Sequence, residues 1–318
     1  MRVTTKGPLF AGVELGGTKC ICTLGHGPDG IIDQLSLPTG DSEDTLATIA
    51  RQIERWYRGP GFDALGIGSF GPLNLNPLHP EFGSIQQTSK PGWSGAAVLR
   101  RIAAGIDRPV RIDTDVNAAA AAERRWGAGR DTRQFAYVTV GTGVGVGFAS
   151  GDAGAREHHA ELGHVRAVRQ VDDRHPSVCP YHTDCVEGLA SGKAIVARFA
   201  GVIPEDIALN DPRWAAPIDY LGQLCHALMC HTVADRIAFG GGVVMGNPGL
   251  APAIERAMRA SLNGYLTLDA QPILVEALLG AQAGPLGTLA LAQDARADAA
   301  TPAQPSPRRR AAGGATRS

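Results

Sequence analysis

No stretch of this 318-residue chain strings together the roughly 18 apolar side chains that a membrane helix needs. The N-terminal MRVTTKGPLFAGVELGG gives no secretory leader either, because Glu14 interrupts its apolar stretch after a few residues. One-signed charge is equally missing. Lys and Arg number 30 against 31 Asp and Glu, for a formal net charge of -1 and a pI near 6.8. With no basic field, nucleic acid and anionic lipid are poor partners, and a small molecule or another protein is expected. Cysteine is sparse, six in all. A cytoplasmic address follows as the expectation, and thiols stay reduced there. The six are therefore read as free or metal-bound before they are read as disulfides, with Cys225 and Cys230 as buried apolar side chains.

What the chain has in plenty is glycine, 41 residues, set between short strand-like and helical runs. LFAGVEL and CICTLG read as strands separated by GGTK. EDTLATIARQIERWYRG has apolar spacing near that of a helix, with Asp41 and Ser42 available as caps. ALGIGSFG reads as a buried strand, AAVLRRIAAGI as a helix, and VRIDTD as a strand running into the helical NAAAAAERRWGAG. Strand and helix alternate, which predicts an α/β sheet covered by helices. FAYVTVGTGVGVGFAS repeats the opening pair of strands, so an internal duplication around a cleft is expected, and the length favours two domains. From Asp294 the composition collapses to ARADAATPAQPSPRRRAAGGATRS, with few large apolar residues to offset ordering entropy.

The glycine clusters differ in setting. ELGGTK (Glu14 to Lys19) joins two strands, so it reads as a hairpin turn whose exposed amides make a concavity for an anion. GTGVG (Gly141 to Gly145) occupies the same place in the second pair. Its spacing, with a strand following, excludes a dinucleotide-binding fingerprint. FGGGVV (Phe239 to Val244) leads from a strand toward the helical PGLAPAIERAMRASL, a setting suited to nucleotide contact. GLASGKA (Gly188 to Ala194) is no P-loop, because its glycines are one residue too close and Ala194 stands where a hydroxyl should bind Mg²⁺.

Two further constellations carry chemistry. CPYHTDC offers Cys179, His182 and Cys185 from one tight loop, and soft thiolates with imidazole select Zn²⁺. His164 completes a closed Cys2His2 set, a structural site with no open position; His158, His159 and His175 are the alternatives for that fourth ligand. Asp115 ends a strand and abuts a helix, where the helix dipole favours an ionised carboxylate suited to general-base work. Asp113 is its competitor, and the plainer reading of Asp115 is a helix cap.

ELGGTK, DVNAAAAAE, GTGVGVG, ELGH, CPYHTDC with Glu187, and FGGGVV stand in the order found in the ROK-family sugar kinases, which the chain resembles from about Phe10 to Ala292. SFGP (Ser69 to Pro72), KPGW (Lys90 to Trp93) and CPYH look most like the zinc-containing fructokinase branch. The resemblance implies the actin-like ATPase, ribonuclease H-like α/β fold, with two domains around a central cleft. Residues 1–117 with about 284–293 would form a small domain, 118–283 a large one, and 294–318 a disordered tail.

It also implies ATP-dependent phosphorylation of a hexose at its 6-hydroxyl, D-fructose first and glucose or mannose next, with Asp115 as the base. Gly16, Gly17, Thr18 and Lys19 would be one phosphate loop and Gly141, Thr142 and Gly143 the other, with Gly240, Gly241 and Gly242 as the adenosine edge. Gly71, Pro72, Thr114, Asp115, Glu161, His164 and Glu187 would meet the sugar. Glu14 stands where many relatives carry aspartate, near Mg²⁺ and its waters. His164 is preferred as the fourth zinc ligand because ELGH resembles the family's E-x-G-H. Zinc would then fasten the loop so that Glu161 and Glu187 converge on the sugar, and chelation would leave the ATP hairpins, distant in sequence, largely intact. A homodimer is implied too. The family's repressors add an N-terminal DNA-binding domain, for which a first strand near Leu9 leaves no room; a non-catalytic sugar-sensing regulator is the rival of another class.

Overall fold

The computed structural model describes residues 7–150 and 160–300. β1 (Phe10–Leu15) and β2 (Lys19–Gly25) form an antiparallel hairpin, with β3 (Ile31–Pro38) paired outside β2. α1 (Ser42–Arg58) leads to β4 (Ala64–Ser69), and α2 (Val98–Ile102) leads to β5 (Val110–Thr114). β4 runs parallel to β1 and β5 parallel to β4, giving the order β3-β2-β1-β4-β5. α3 (Asp115–Trp126) then carries the chain to a second sheet.

There β6 (Gln134–Val140) and β7 (Val144–Ser150) form another hairpin. After α4 (Val186–Ala190), α5 (Gly192–Arg198) and α6 (Ala215–Thr232) comes β8 (Arg236–Gly240), parallel to β6. α7 (Gly242–Met245) and α8 (Leu250–Leu262) precede β9 (Leu274–Glu276), and α9 (Ala283–Ala300) ends the described chain. The second sheet is ordered β7-β6-β8-β9. A hairpin followed by parallel strands thus occurs twice in the same order, β3 being the one addition.

α1 shows why these segments take these places. Asp41 accepts the amides of Glu43 and Asp44, and Leu46, Ile49, Ile53 and Trp56, three or four residues apart, are buried against the first sheet. Each such side chain contributes about 1.5–3 kcal/mol of transfer free energy. α9 is apolar all round from Ala283 to Ala292 because it packs on β1 and β4 and on α3. Gly12 and Gly66, paired across β1 and β4, leave the space that Thr288 fills; a Cβ on either would overlap it. On the α3 side, Ala118 to Ala122 are buried and the bare Cα of Gly287 meets the Ala118 carbonyl. Small residues therefore let α3 pass close under α9, and this fixes where Asp115 sits.

Several expectations change. β3 carried no strong signal because it is an edge strand whose side chains are at most half-buried. AAVLRRIAAGI yields only the five residues of α2. Cys225 is buried but Cys230 is exposed, since five residues along a helix turn the side chain to another face. Residues 294–300 are helical instead of tail. Alanine favours the helix, Ala295 is buried, and Asp294 and Asp298 pair with Arg125 and Arg111 at 2.6 and 2.7 Å. Residues 301–318 lie outside the described residues. α3 is continuous across 117/118. Among the described residues no helix is long and apolar enough to cross a membrane.

Candidate functional site

The register of β4 against β5 sets Ser69 beside Thr114. Gly71 and Pro72 therefore leave the sheet at the edge where Asp115 begins α3. The helix cap is Thr114, not Asp115: the Thr114 hydroxyl accepts the Asn117 amide at 3.1 Å, and Thr114 is buried. Asp113 is committed elsewhere. Its Oδ1 accepts the Thr114 amide and the Asn117 side-chain amide, both at 2.7 Å, while the Asn117 Oδ1 accepts the Phe148 amide of β7 at 3.0 Å. Asp113 thus holds the two sheets in register through Asn117. Asp115, whose own Oδ1 accepts the Val116 amide at 2.9 Å, lines a cleft of about 350 Å³ with Glu14, Tyr137, Thr139, Gly241 and Gly242.

Glu14 enters this cleft from β1, packed against the bare Cα of Gly284. Burial, then the charge of Asp115, pushes its carboxyl from an ordinary 4.5 up to about 7, with Lys19 pulling the other way. Two carboxylates lining one cleft repel each other when both are ionised, a repulsion that a cation between them would relieve. Burial pushes the Tyr137 hydroxyl upward, so it stays protonated here.

Both glycine hairpins form turns at the ends of their strands. In the first, the Gly16 amide donates to the Lys19 carbonyl at 3.0 Å, and Gly17, Thr18 and Lys19 are exposed. In the second, the Gly141 amide donates to the Gly143 carbonyl at 2.9 Å. Gly141 and Thr142 wall a second cavity of about 620 Å³ with Gly192, Lys193, Glu205, Gly242 and Val243. Gly242 borders both cavities, and Gly241 needs its glycine, with φ of 85° and the Val140 backbone where a Cβ would stand. Gly240 is buried against Tyr137 and lines neither cavity. Nor does the tip of the first hairpin. Sequence reasoning missed Gly192 and Lys193, which lie in the GLASGKA segment. Its spacing rules out a P-loop, while the folded chain sets it beside the second hairpin through the Gly192 amide, 2.7 Å from the Gly141 carbonyl.

His164, Cys179, His182 and Cys185 converge. Their ligand atoms lie within 4.8 Å of one another, and Cys179 Sγ is 3.8 Å from His164 Nδ1 and 3.6 Å from His182 Nδ1, with Cys185 Sγ 3.7 Å from His164 Nδ1. Ordinary Zn–S and Zn–N bonds around a tetrahedral ion give an S···N edge of about 3.6 Å, so the set fits zinc. His175 is turned to the Pro176 carbonyl; His158 and His159 lie outside the described residues. Around the knot, Asp173 accepts two bonds from Arg198 at 2.8 and 3.0 Å and one from Tyr220 at 2.6 Å. That pairing holds its carboxyl far below the usual range.

Glu161 begins the single turn Leu162–His164, its carbonyl accepting the His164 amide at 3.0 Å. Glu187 is in the first turn of α4. Its Oε1 lies 3.6 Å from His164 Nε2 and its Oε2 accepts the Val144 amide at 3.0 Å. Neither glutamate lines the Asp115 cleft. The Val144 contact brings the metal loop, distant in sequence, beside the second glycine hairpin, because Val144 begins β7 directly after the second turn.

Residues 10–295 match the ROK family. The chain is 38% identical over 294 residues to a fructokinase of Pediococcus pentosaceus, covering 90% of this chain and 98% of that one. It is 36% identical over 293 residues to a fructokinase of Zymomonas mobilis, covering 89% and 96%. The solved ROK hexokinase of Thermus thermophilus superposes with a TM-score of 0.73 at 29% identity, over 91% of this chain and 99% of that structure.

Proposed function

The chain belongs to the ROK family, and on that premise we propose that it is an ATP- and Mg²⁺-dependent hexose kinase whose preferred acceptor is D-fructose. The observation that carries this reading is the placement of Asp115: Thr114 caps α3, Asp113 bonds the Asn117 side chain, and Asp115, at the first position of α3, lines the cleft together with Glu14. In the reaction the sugar 6-oxygen bonds to the γ-phosphorus as the bond to the ADP oxygen breaks, and Asp115 accepts the hydroxyl proton. Such transfer depends mostly on positioning and charge neutralisation. Mg²⁺, held beside Glu14, would supply that neutralisation. The two hairpins would cradle phosphates through backbone amides, and the 620 Å³ cavity beside Gly242 and Lys193 offers room for the adenosine.

We assign zinc to His164, Cys179, His182 and Cys185 as a structural ion, with Glu161 and Glu187 as sugar contacts. Fructose is favoured over glucose and mannose because the fructokinases align along nearly the whole chain. None of the six cysteines is paired in a disulfide, which suits a cytoplasmic enzyme. ADP release measured over fructose, mannose, glucose and N-acetylmannosamine tests the reading. Wild type should turn over fructose best, and Asp115→Ala should lose roughly a hundredfold or more in kcat while keeping its melting temperature. A zinc-loaded, folded wild type that releases no ADP with any sugar would sink the kinase reading. A still-active Asp115→Ala would sink only the base.

A further inference from the structure

We infer that Glu187 is a positioning residue that ties the metal knot to the second hairpin, so that metal occupancy sets nucleotide affinity even when no sugar is present. This rests on the reading that the second hairpin holds phosphate. The connection runs through α4, a helix of five residues. Cys185 Sγ accepts the Gly188 amide at 3.3 Å, so a metal ligand is also the N-cap of α4. His164 turns Nδ1 toward both sulfurs and Nε2 toward Glu187 Oε1. A cation on Nδ1 leaves the ring proton on Nε2, facing that carboxylate.

The other carboxylate oxygen takes the Val144 amide at 3.0 Å, and just beyond α4 the Gly192 amide donates to the Gly141 carbonyl at 2.7 Å. Gly141 and Val144 are the two ends of the hairpin turn. The turn is therefore gripped at both ends by a segment that begins at a metal ligand. One turn of helix does not hold itself together in water, so α4 depends on its anchors. Without the cation nothing holds Cys185 and His164 to the other two ligands, and both grips on the turn loosen together. Glu187 also faces the proposed sugar site, so the coupling has to be read without sugar.

The test is calorimetric titration of MgADP into sugar-free protein. Zinc-loaded wild type is compared with wild type stripped by a zinc-selective chelator, and with Glu187→Ala and Glu187→Gln. Stripping should weaken MgADP about tenfold, the scale of one charge-assisted hydrogen bond. Loaded Glu187→Ala should lose about as much, and stripping it should add little, because both changes release the same turn. Glu187→Gln keeps an acceptor for the Val144 amide and should stay within about threefold of wild type, a rescue that loss of bulk packing would not give. Equal MgADP affinity of stripped and loaded wild type would overturn the coupling while leaving the nucleotide reading in place. No MgADP binding by loaded wild type would overturn both. If Glu187→Ala fails to fold, the stripped wild type and Glu187→Gln decide.

Discussion

The two glycine hairpins are built alike and braced differently. The turn between β1 and β2 is held by single polar side chains from the surface: the Thr39 hydroxyl donates to the Gly16 carbonyl at 2.8 Å, and Lys90 Nζ donates to the Gly17 carbonyl at 2.7 Å. The turn between β6 and β7 is held by the segment Cys185 to Gly192, anchored in the Cys2His2 knot and backed by the Asp173, Arg198 and Tyr220 network. The same hairpin occurs twice, and the segment between β7 and β8 braces one of them. The first turn carries ionisable groups in its own two strands, Glu14 and Lys19, whereas the carboxylate at the second turn, Glu187, comes from α4.

Removing the metal should break the comparison most strongly. Chelation should lower the melting temperature by several degrees, since several kcal/mol of metal-linked folding energy are lost at about 1.5 °C per kcal/mol in a chain of this size. Amide exchange should quicken at 141–144 and 185–192 while 16–19 is unchanged. Equal loss of protection at both turns would show that they share one brace. Acting on the other turn should do less. Thr39→Val removes two neutral hydrogen bonds, to the Gly16 carbonyl and with Cys20 Sγ; the one that holds the turn is worth about 1 kcal/mol, and its loss should raise the KM for ATP about fivefold. Zinc content and exchange at 141–144 should stay at wild-type values. A fall in zinc content would show that the turns are coupled.

The hairpins, the strand running into α3 and the spacing of Cys179, His182 and Cys185 were legible in the sequence because each is a short-range pattern with a local cause. The partner of each group was not. Whether Asp115 or Thr114 caps α3 depends on which side chain the register of β5 turns inward. That Glu187 meets Val144, 43 positions away, depends on how the insertion folds back over the second sheet. The role of GLASGKA was hidden for the same reason: its residues make no phosphate loop of their own but border a cavity that other segments complete. Alanine-rich DARADAA shows the opposite failure, where low apolar content concealed a helix that the pairs Asp294–Arg125 and Asp298–Arg111 hold in place.

The smallest expected effect sharpens the comparison from the side of the first hairpin, where protons should act as metal acts on the second. Glu14 titrates near 7 in the folded chain against an ordinary 4.5, so between those values the folded state holds a proton that the unfolded state has released. Its contribution to stability is therefore complete below about pH 4.5, declines as pH rises, and is gone above about pH 7. Melting temperatures of ligand-free protein from pH 5 to 8 should fall by a few degrees more in wild type than in Glu14→Gln, which has no proton to lose. A cation that pairs with the ionised carboxylate works against that trend, so Mg²⁺-nucleotide affinity should rise through the same window in wild type and stay flat in the variant. Parallel pH curves for the two proteins would remove Glu14 as the titrating group, and the first hairpin would then have no proton-linked counterpart to the metal brace of the second.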